Sequence, residues 1–137
     1  MIKMPENKLH TQADAVLHLL QNLDIEMLDA ILEEEHTYQD MNKSVFIQKL
    51  GIALDKFMET GDTYLHRFEG HCNSEFCNYK CRGFSFIGNS SGNYMDLVVD
   101  IKDGVVHDMY ECSEFAIHGR EVKKRTRINI DERELPF

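Results

Sequence analysis

The spacing of apolar residues along this chain changes once, at Gly61. Before Gly61, three segments carry apolar residues at helical spacing: Thr11 to Asn22, a segment that begins after the potential cap Asp24, and Ser44 to Thr60. After it, apolar and polar residues alternate as in strands, over about residues 64 to 72, 79 to 89, 93 to 102 and 105 to 116. Short turns, including the hairpin signal Asp103-Gly104, separate these strands. The pattern predicts an α+β fold with three N-terminal helices packed on an antiparallel meander sheet.

Composition narrows the class of protein. The chain has 137 residues, 42% of them hydrophobic, and we expect one globular domain over residues 1–137, with residues 117–137 as a C-terminal extension. The net charge of -9 argues against nucleic acid as a partner, and we interpret the basic segment from Arg120 to Arg127 as a solvated tail or an edge strand. No apolar run is long enough for a membrane span or a secretory signal, so we expect a cytoplasmic protein.

Three of the four cysteines, Cys72, Cys77 and Cys81, fall within ten residues. In a reducing compartment, thiols or metal ligands are expected before disulfides. Because zinc takes four thiolate or imidazole ligands, the cluster suggests a zinc site with His71 or His107 as the fourth ligand. The spacing matches no standard zinc motif, so three free thiols remain the alternative.

A pocket is the second candidate site. If Asp103-Gly104 is a tight turn without irregularity, residue 99 pairs with 108 and residue 97 with 110. Asp108 and Tyr110 then share the inward face with Val99 and Leu97, where a polar group needs a partner or a role. A β-bulge that turns Asp108 outward is the alternative.

A histidine could complete this pocket. If Phe68 faces inward beside Phe84, His66 and Tyr64 face inward too, and His66 joins Asp108 and Tyr110. A histidine beside a carboxylate is typical equipment for proton transfer. We therefore predict Asp108 or His66 as general base and Tyr110 as the group that stabilises oxyanion charge. A partly exposed His66 in a hydrogen-bond network is the alternative.

The order of elements, the segment Leu28-Asp29-Ala30-Ile31-Leu32 leading into His36-Thr37-Tyr38-Gln39-Asp40, and the last strand from Asp103 to Tyr110 resemble the nuclear transport factor 2-like superfamily. The resemblance covers about residues 11 to 116 and includes the SnoaL-like and ketosteroid-isomerase-like branches. It implies a cystatin-like cone in which a bent sheet wraps the long helix around a pocket, often in a homodimer.

Two functions follow as hypotheses. The first is a protein that binds a small apolar or amphipathic molecule in the cone, with acid-base isomerase or dehydratase chemistry as an open possibility. Its expected ligand-binding residues are aromatic: Tyr38, Tyr64, Phe84 and Phe86. The second is a non-catalytic interaction module stabilised by the Cys-rich hairpin.

Overall fold

The computed structural model describes residues 11–71, 82–111 and 126–130. Three helices precede four strands in the described part of the chain. Their bounds are α1 Gln12–Gln21, α2 Ile25–Ile31, α3 Lys43–Glu59, β1 Leu65–His71, β2 Arg82–Gly88, β3 Tyr94–Lys102 and β4 Val105–Tyr110. The predicted α+β class and the order of elements are confirmed.

Each helix begins at a polar side chain that caps its first turn. Thr11 Oγ1 accepts a hydrogen bond from the backbone N–H of Asp14 (3.1 Å), and the Asn42 side chain accepts one from Val45 (2.9 Å). Asp24 caps α2 in the same way, as predicted. Such bonds satisfy backbone donors that have no partner within the helix, which is why these residue types mark helix starts.

The four strands form one antiparallel sheet in the order β1-β2-β3-β4. The register pairs Phe86 with Met95 and Phe84 with Leu97. These four side chains are buried, and they belong to one core cluster with residues of all three helices. The helices therefore cover this face of the sheet, and the predicted core side of β2 and β3 is confirmed.

A β-bulge interrupts the pairing of β3 with β4. Ile101 pairs with Val106, but Asp100 pairs with Asp108, so His107 is the additional residue on β4. Because side chains alternate along a strand, one additional residue moves every later side chain to the opposite face. The predicted pairing of residues 99 with 108 and 97 with 110 is wrong: Val99 pairs with Met109, and Val98 pairs with Tyr110. Asp108 and Tyr110 therefore lie on the face opposite Leu97 and Val99.

The connection between β2 and β3 is built around a buried carboxylate. Asp62 is 2% exposed, and its Oδ1 accepts hydrogen bonds from the backbone N–H groups of Ser90 and Ser91 (both 2.7 Å). Its Oδ2 accepts a third bond from the Ser91 hydroxyl (2.6 Å). A Cβ on Gly88 would lie 2.1 Å from Asp62 Oδ2, so the carboxylate fits only because residue 88 has no side chain.

Part of the C-terminal extension belongs to the fold. The backbone N–H of Ile128 donates to the carbonyl of Tyr94 (2.7 Å), and Tyr94 donates to Thr126 (3.1 Å). Ile128 and Ile130 are buried in the core cluster. Residues 126–130 thus lie beside the first residue of β3. Within the described ranges, no helix has the length and apolar character that crossing a membrane requires.

Candidate functional site

A cavity of about 750 Å³ opens against the ends of β3 and β4. Its described wall combines an apolar strip, a tyrosine and several charged groups. These residues are Gln39, Asp40, Arg82, Val98, Val99, Asp100, Ile101, Lys102, Asp108, Tyr110 and Glu111. A concave site with apolar surface and a few convergent polar groups is typical of small-molecule sites, and its volume falls in their usual range of roughly 300 to 1,000 Å³.

A tight turn forms one rim of this cavity. Tyr38 and Met41 exchange backbone hydrogen bonds of 2.8 and 2.9 Å, and the two residues between them, Gln39 and Asp40, both have positive φ, at 52° and 61°. This backbone conformation disfavours residues other than glycine by about 1 to 2 kcal/mol each, so neighbouring contacts must hold it.

Two hydrogen bonds hold the turn against β4 and against Glu111, the residue that follows it. The backbone N–H of Gln39 donates to Asp108 Oδ1 (2.9 Å), and the backbone N–H of Glu111 donates to Gln39 Oε1 (2.8 Å). Both bonds join residues about 70 positions apart in the sequence. The position of the rim is therefore determined by tertiary contacts, and Asp108 is one of its anchors.

Asp108 lies in an environment that favours its neutral form. Burial raises the pKa of the Asp108 carboxyl above its ordinary value, and the negative charges of Asp40 and Asp100 raise it further. Hydrogen bonds from the backbone of Gln39 and Met109 lower this pKa without offsetting the rise. The cavity thus contains a carboxylate that holds its proton more tightly than an exposed one.

Both cations in the described wall of the cavity are exposed. Arg82, the first residue of β2, is exposed, and its Nε donates to Glu69 Oε2 (3.0 Å). The Arg82 guanidinium also lies 5.5 Å from the centre of the Phe84 ring. Lys102, the last residue of β3, is exposed as well. Arg82 is thus held by a carboxylate and an aromatic ring from its own sheet.

The structure separates His66 from Asp108 and Tyr110. His66 pairs with Ile87, which pairs with Tyr94, whereas Asp108 pairs with Asp100. Six residues of β3 separate Tyr94 from Asp100, about 20 Å along the strand, and β1 and β4 are opposite edges of the sheet. The expected grouping of His66 with Asp108 and Tyr110 is therefore wrong.

His66 instead lies on an exposed part of β1. It is exposed, and its ring contacts that of Tyr64 edge-on with centroids 5.6 Å apart. The Tyr64 hydroxyl accepts a hydrogen bond from Gln21 Nε2 (2.8 Å). Phe68 pairs with Ser85 and is 42% exposed, so the expectation that it faces inward beside Phe84 is also wrong.

The other aromatic residues expected to bind a ligand fill the core. Tyr38, Phe84 and Phe86 are each at most 2% exposed, and the described wall of the cavity contains none of them. The Tyr38 hydroxyl donates to the carbonyl oxygen of Glu33 (2.9 Å), and burial raises the pKa of Tyr38. In this structure these rings stabilise the fold behind the site.

The predicted metal ligands Cys72, Cys77 and Cys81 lie outside the described residues, so the zinc site stays a prediction. His71 ends β1, and His107 is the bulged residue of β4 on the opposite edge of the sheet, about 14 Å away by strand spacing. The His107 ring lies against that of His36 with centroids 4.3 Å apart. Among the residues with a described position, no three His, Cys, Asp or Glu side chains converge as metal ligands do.

The sequence interpretation missed Gln39, Asp40, Asp100 and Arg82. Asp100 carries a usable signal, because it is a charged residue within the apolar run of β3. Gln39 carries none, since its role depends on backbone conformation and on contacts with β4. In comparisons with known proteins, this chain matches no family model, no curated protein and no solved structure.

Proposed function

We propose that this protein binds a small molecule in the cavity between the Gln39-Asp40 turn and β3–β4. The observation that carries the proposal is the cavity of about 750 Å³ whose wall includes both Asp108 and Tyr110. A hydrogen-bonded carboxylate and a phenol beside the apolar Val98 and Ile101 provide orientation and contact area for one ligand.

The proposal includes the finer form of the fold, a nuclear transport factor 2-like cone, with the ligand beside Asp108 and Tyr110 on the sheet face opposite Leu97 and Val99. The three helices on one face of a four-stranded antiparallel meander support it, since this arrangement is the one that the resemblance implies. A homodimer belongs to the same proposal and is tested by the mass of the protein in solution.

Any proton transfer in this cavity depends on Asp108. His66 is too distant to take part, because β1 and β4 are opposite edges of the described sheet. Asp108 lines the cavity together with Tyr110, which makes it the candidate for a general acid or base there. We propose binding as the function and Asp108 as the group to examine if a bound compound is turned over.

The test is a fragment screen followed by amide chemical shifts of ¹⁵N-labelled protein. We expect shift changes to concentrate on Gln39, residues 98–102 and residues 108–111. Tyr110→Ala should weaken the affinity of the bound fragments several-fold. Tyr94→Ala, the same truncation at the other end of the sheet, should leave the affinity within twofold.

Two outcomes would contradict the proposal. Shift changes that concentrate elsewhere, for instance around the exposed Phe68 on β1, would show that the cavity is not the binding site. Equal effects of the two tyrosine substitutions would show the same. Circular dichroism of both variants checks that each retains the fold.

A further inference from the structure

We infer that His36 and His107 form a binding site for one divalent transition-metal ion of the kind that imidazole suits, such as nickel or zinc. Neither histidine belongs to the described wall of the cavity, so this inference does not depend on the proposed function. The site also differs from the predicted zinc site, in which a histidine would bind the metal together with the cysteines.

The fold brings the two imidazole rings together from distant parts of the chain. His36 lies in the connection between α2 and α3, and His107 is the bulged residue of β4. Their ring centres are 4.3 Å apart, with an angle of 42° between the ring planes. Two imidazoles that bind one ion at about 2.1 Å, with an angle of about 90 to 110° at the metal, have ring centres about 4.5 to 5.3 Å apart. The observed spacing is close to this range, and a small rotation of either side chain reaches it.

The β-bulge places His107 beside His36. Val106 and Met109 both belong to the buried core, with His107 and Asp108 between them. A bulge redirects a side chain out of the regular alternation of its strand, and bulges are frequent beside functional sites for this reason. His107 therefore reaches the neighbouring connection without removing a core residue of β4.

The hydrogen bonds of the pair leave nitrogen atoms for a metal. His36 Nε2 lies 3.0 Å from Glu33 Oε1. Because an ionised carboxylate only accepts hydrogen bonds, this contact assigns the proton of the neutral ring to Nε2 and the lone pair to Nδ1. Within the described part of the chain, no hydrogen bond occupies His36 Nδ1 or either ring nitrogen of His107.

Glu33 has the position of an outer partner of the metal site. A histidine that binds a metal commonly donates its other ring N–H to a carboxylate, which fixes the orientation of the ring. Among the residues that the structure describes, no third His, Cys, Asp or Glu side chain converges with the two histidines. Glu33 is therefore a positioning residue, and water completes the coordination, as it does in open metal sites.

Negative charge near the pair favours a cation. Burial raises the pKa of Tyr38, two residues after His36. The hydrogen bond that Tyr38 donates to the carbonyl of Glu33 lowers this pKa, and the negative charges of Glu33, Asp108 and Glu35 raise it. These three carboxylates thus act on the same part of the connection, and a divalent ion bound there lowers the electrostatic energy.

Calorimetric titration of the full chain, without an affinity tag, with Ni²⁺ tests the inference. Ni²⁺ suits imidazole ligands, whereas zinc is also taken up by thiolates. We expect His36→Gln and His107→Gln each to weaken Ni²⁺ binding at least about tenfold, since even outer partners of metal sites contribute that much. His66→Gln removes an exposed imidazole from β1 and should change the affinity less than about twofold. Mg²⁺, which prefers oxygen ligands, should not bind at the same concentrations.

The role of Glu33 is tested separately. Glu33→Gln should weaken Ni²⁺ binding about tenfold, because the outer carboxylate is lost. Glu26→Gln removes the same charge from an exposed position of α2 and should change the affinity less than about twofold. The ¹⁵N shifts of the His36 ring report which nitrogen carries the proton. They should move in Glu33→Gln and stay unchanged in Glu26→Gln.

Ring signals of the unchanged protein keep the inference testable if a variant does not fold. Addition of Zn²⁺, which is diamagnetic, should shift the imidazole signals of His36 and His107 and leave those of the exposed His18 and His66 in place. Absence of Ni²⁺ binding, ring shifts confined to other histidines, or an equal loss of affinity in His66→Gln each overturns the inference. None of these results bears on fragment binding in the cavity, so the two proposals fail separately.

Discussion

Two aspartates at opposite ends of β3 show how surroundings decide what a carboxylate does. Asp62, beside the turn before β3, accepts three short hydrogen bonds from Ser90 and Ser91 and is almost fully buried. Asp108, across from the last part of β3, accepts a bond from the Gln39 backbone and borders a cavity with two other aspartates. The first carboxylate is used by the fold, whereas the second lines the cavity that we propose as a ligand site.

The largest effect is expected where the packing around Asp62 is tightest. Gly88→Ala would place a methyl group 2.1 Å from Asp62 Oδ2, so the carboxylate must move and lose its hydrogen bonds. We expect the free energy of unfolding to fall by at least about 2 kcal/mol, measured by urea denaturation. Gly51→Ala is the matched control. Gly51 lies within α3, and a Cβ added there would lie 3.6 Å from its nearest neighbour, Ile25. This variant should therefore raise the free energy of unfolding by about 0.5 to 1 kcal/mol. Equal stability of the two variants would contradict the tight fit.

Removing the charge of Asp62 should have the next largest effect. Asp62→Asn keeps an oxygen for the two backbone N–H groups but presents an amide where the Ser91 hydroxyl now donates. We expect a loss of about 1 to 3 kcal/mol, because charged acceptors make the stronger bonds. Asp55→Asn, at an exposed position, should change stability by less than about 0.5 kcal/mol. A loss no larger than this for Asp62→Asn would mean that the buried bonds contribute little.

Asp108→Asn should change the free energy of unfolding in the opposite direction, and by the smallest amount of the three substitutions. Because burial raises the pKa of Asp108 in the folded state, the folded protein binds a proton more readily than the unfolded chain. The resulting stabilisation is complete below the unfolded pKa and is lost as the pH rises through the folded pKa. Asparagine has no such titration and can still accept the Gln39 bond.

Unfolding of Asp108→Asn and of the unchanged protein should therefore be compared at a series of pH values. We expect the variant to gain stability relative to the unchanged protein as the pH rises from about 4. A variant that is less stable by as much as Asp62→Asn at neutral pH would show that Asp108 is also a structural carboxylate. The comparison between the two aspartates would then fail.

The sequence predicts most of the fold and two members of the site. Thr11, Asp24 and Gly61 mark helix ends by local chemistry, and the Asp103-Gly104 turn forms as expected, with positive φ at both residues. Asp108 and Tyr110 are predicted site residues because the register expected from a tight Asp103-Gly104 turn places both on the inward face of β4. Both line the cavity, although they reach it from the other face of the sheet.

The predicted orientation of Asp108 and Tyr110 is wrong because a β-bulge has no clear signature in the residues that form it. One additional residue at His107 reverses the orientation of Asp108 and Tyr110, and the pairing with β3 decides where that residue is placed. The prediction of His66 as a site residue depends on an inward-facing Phe68, and it is wrong because Phe68 pairs with Ser85 and is 42% exposed.

The sequence by itself determined the helices, the strands and their order, because caps, apolar spacing and glycine turns act over a few residues. The tertiary structure alone decided the site. Leu23, Gln39 and Asp40 adopt positive φ without being glycine, a conformation that local preference opposes. Gln39 is held there by bonds to Asp108 and from Glu111, residues far away along the chain. Such contacts hold the cavity wall in place. They form only once the strands have paired, so local sequence does not predict them.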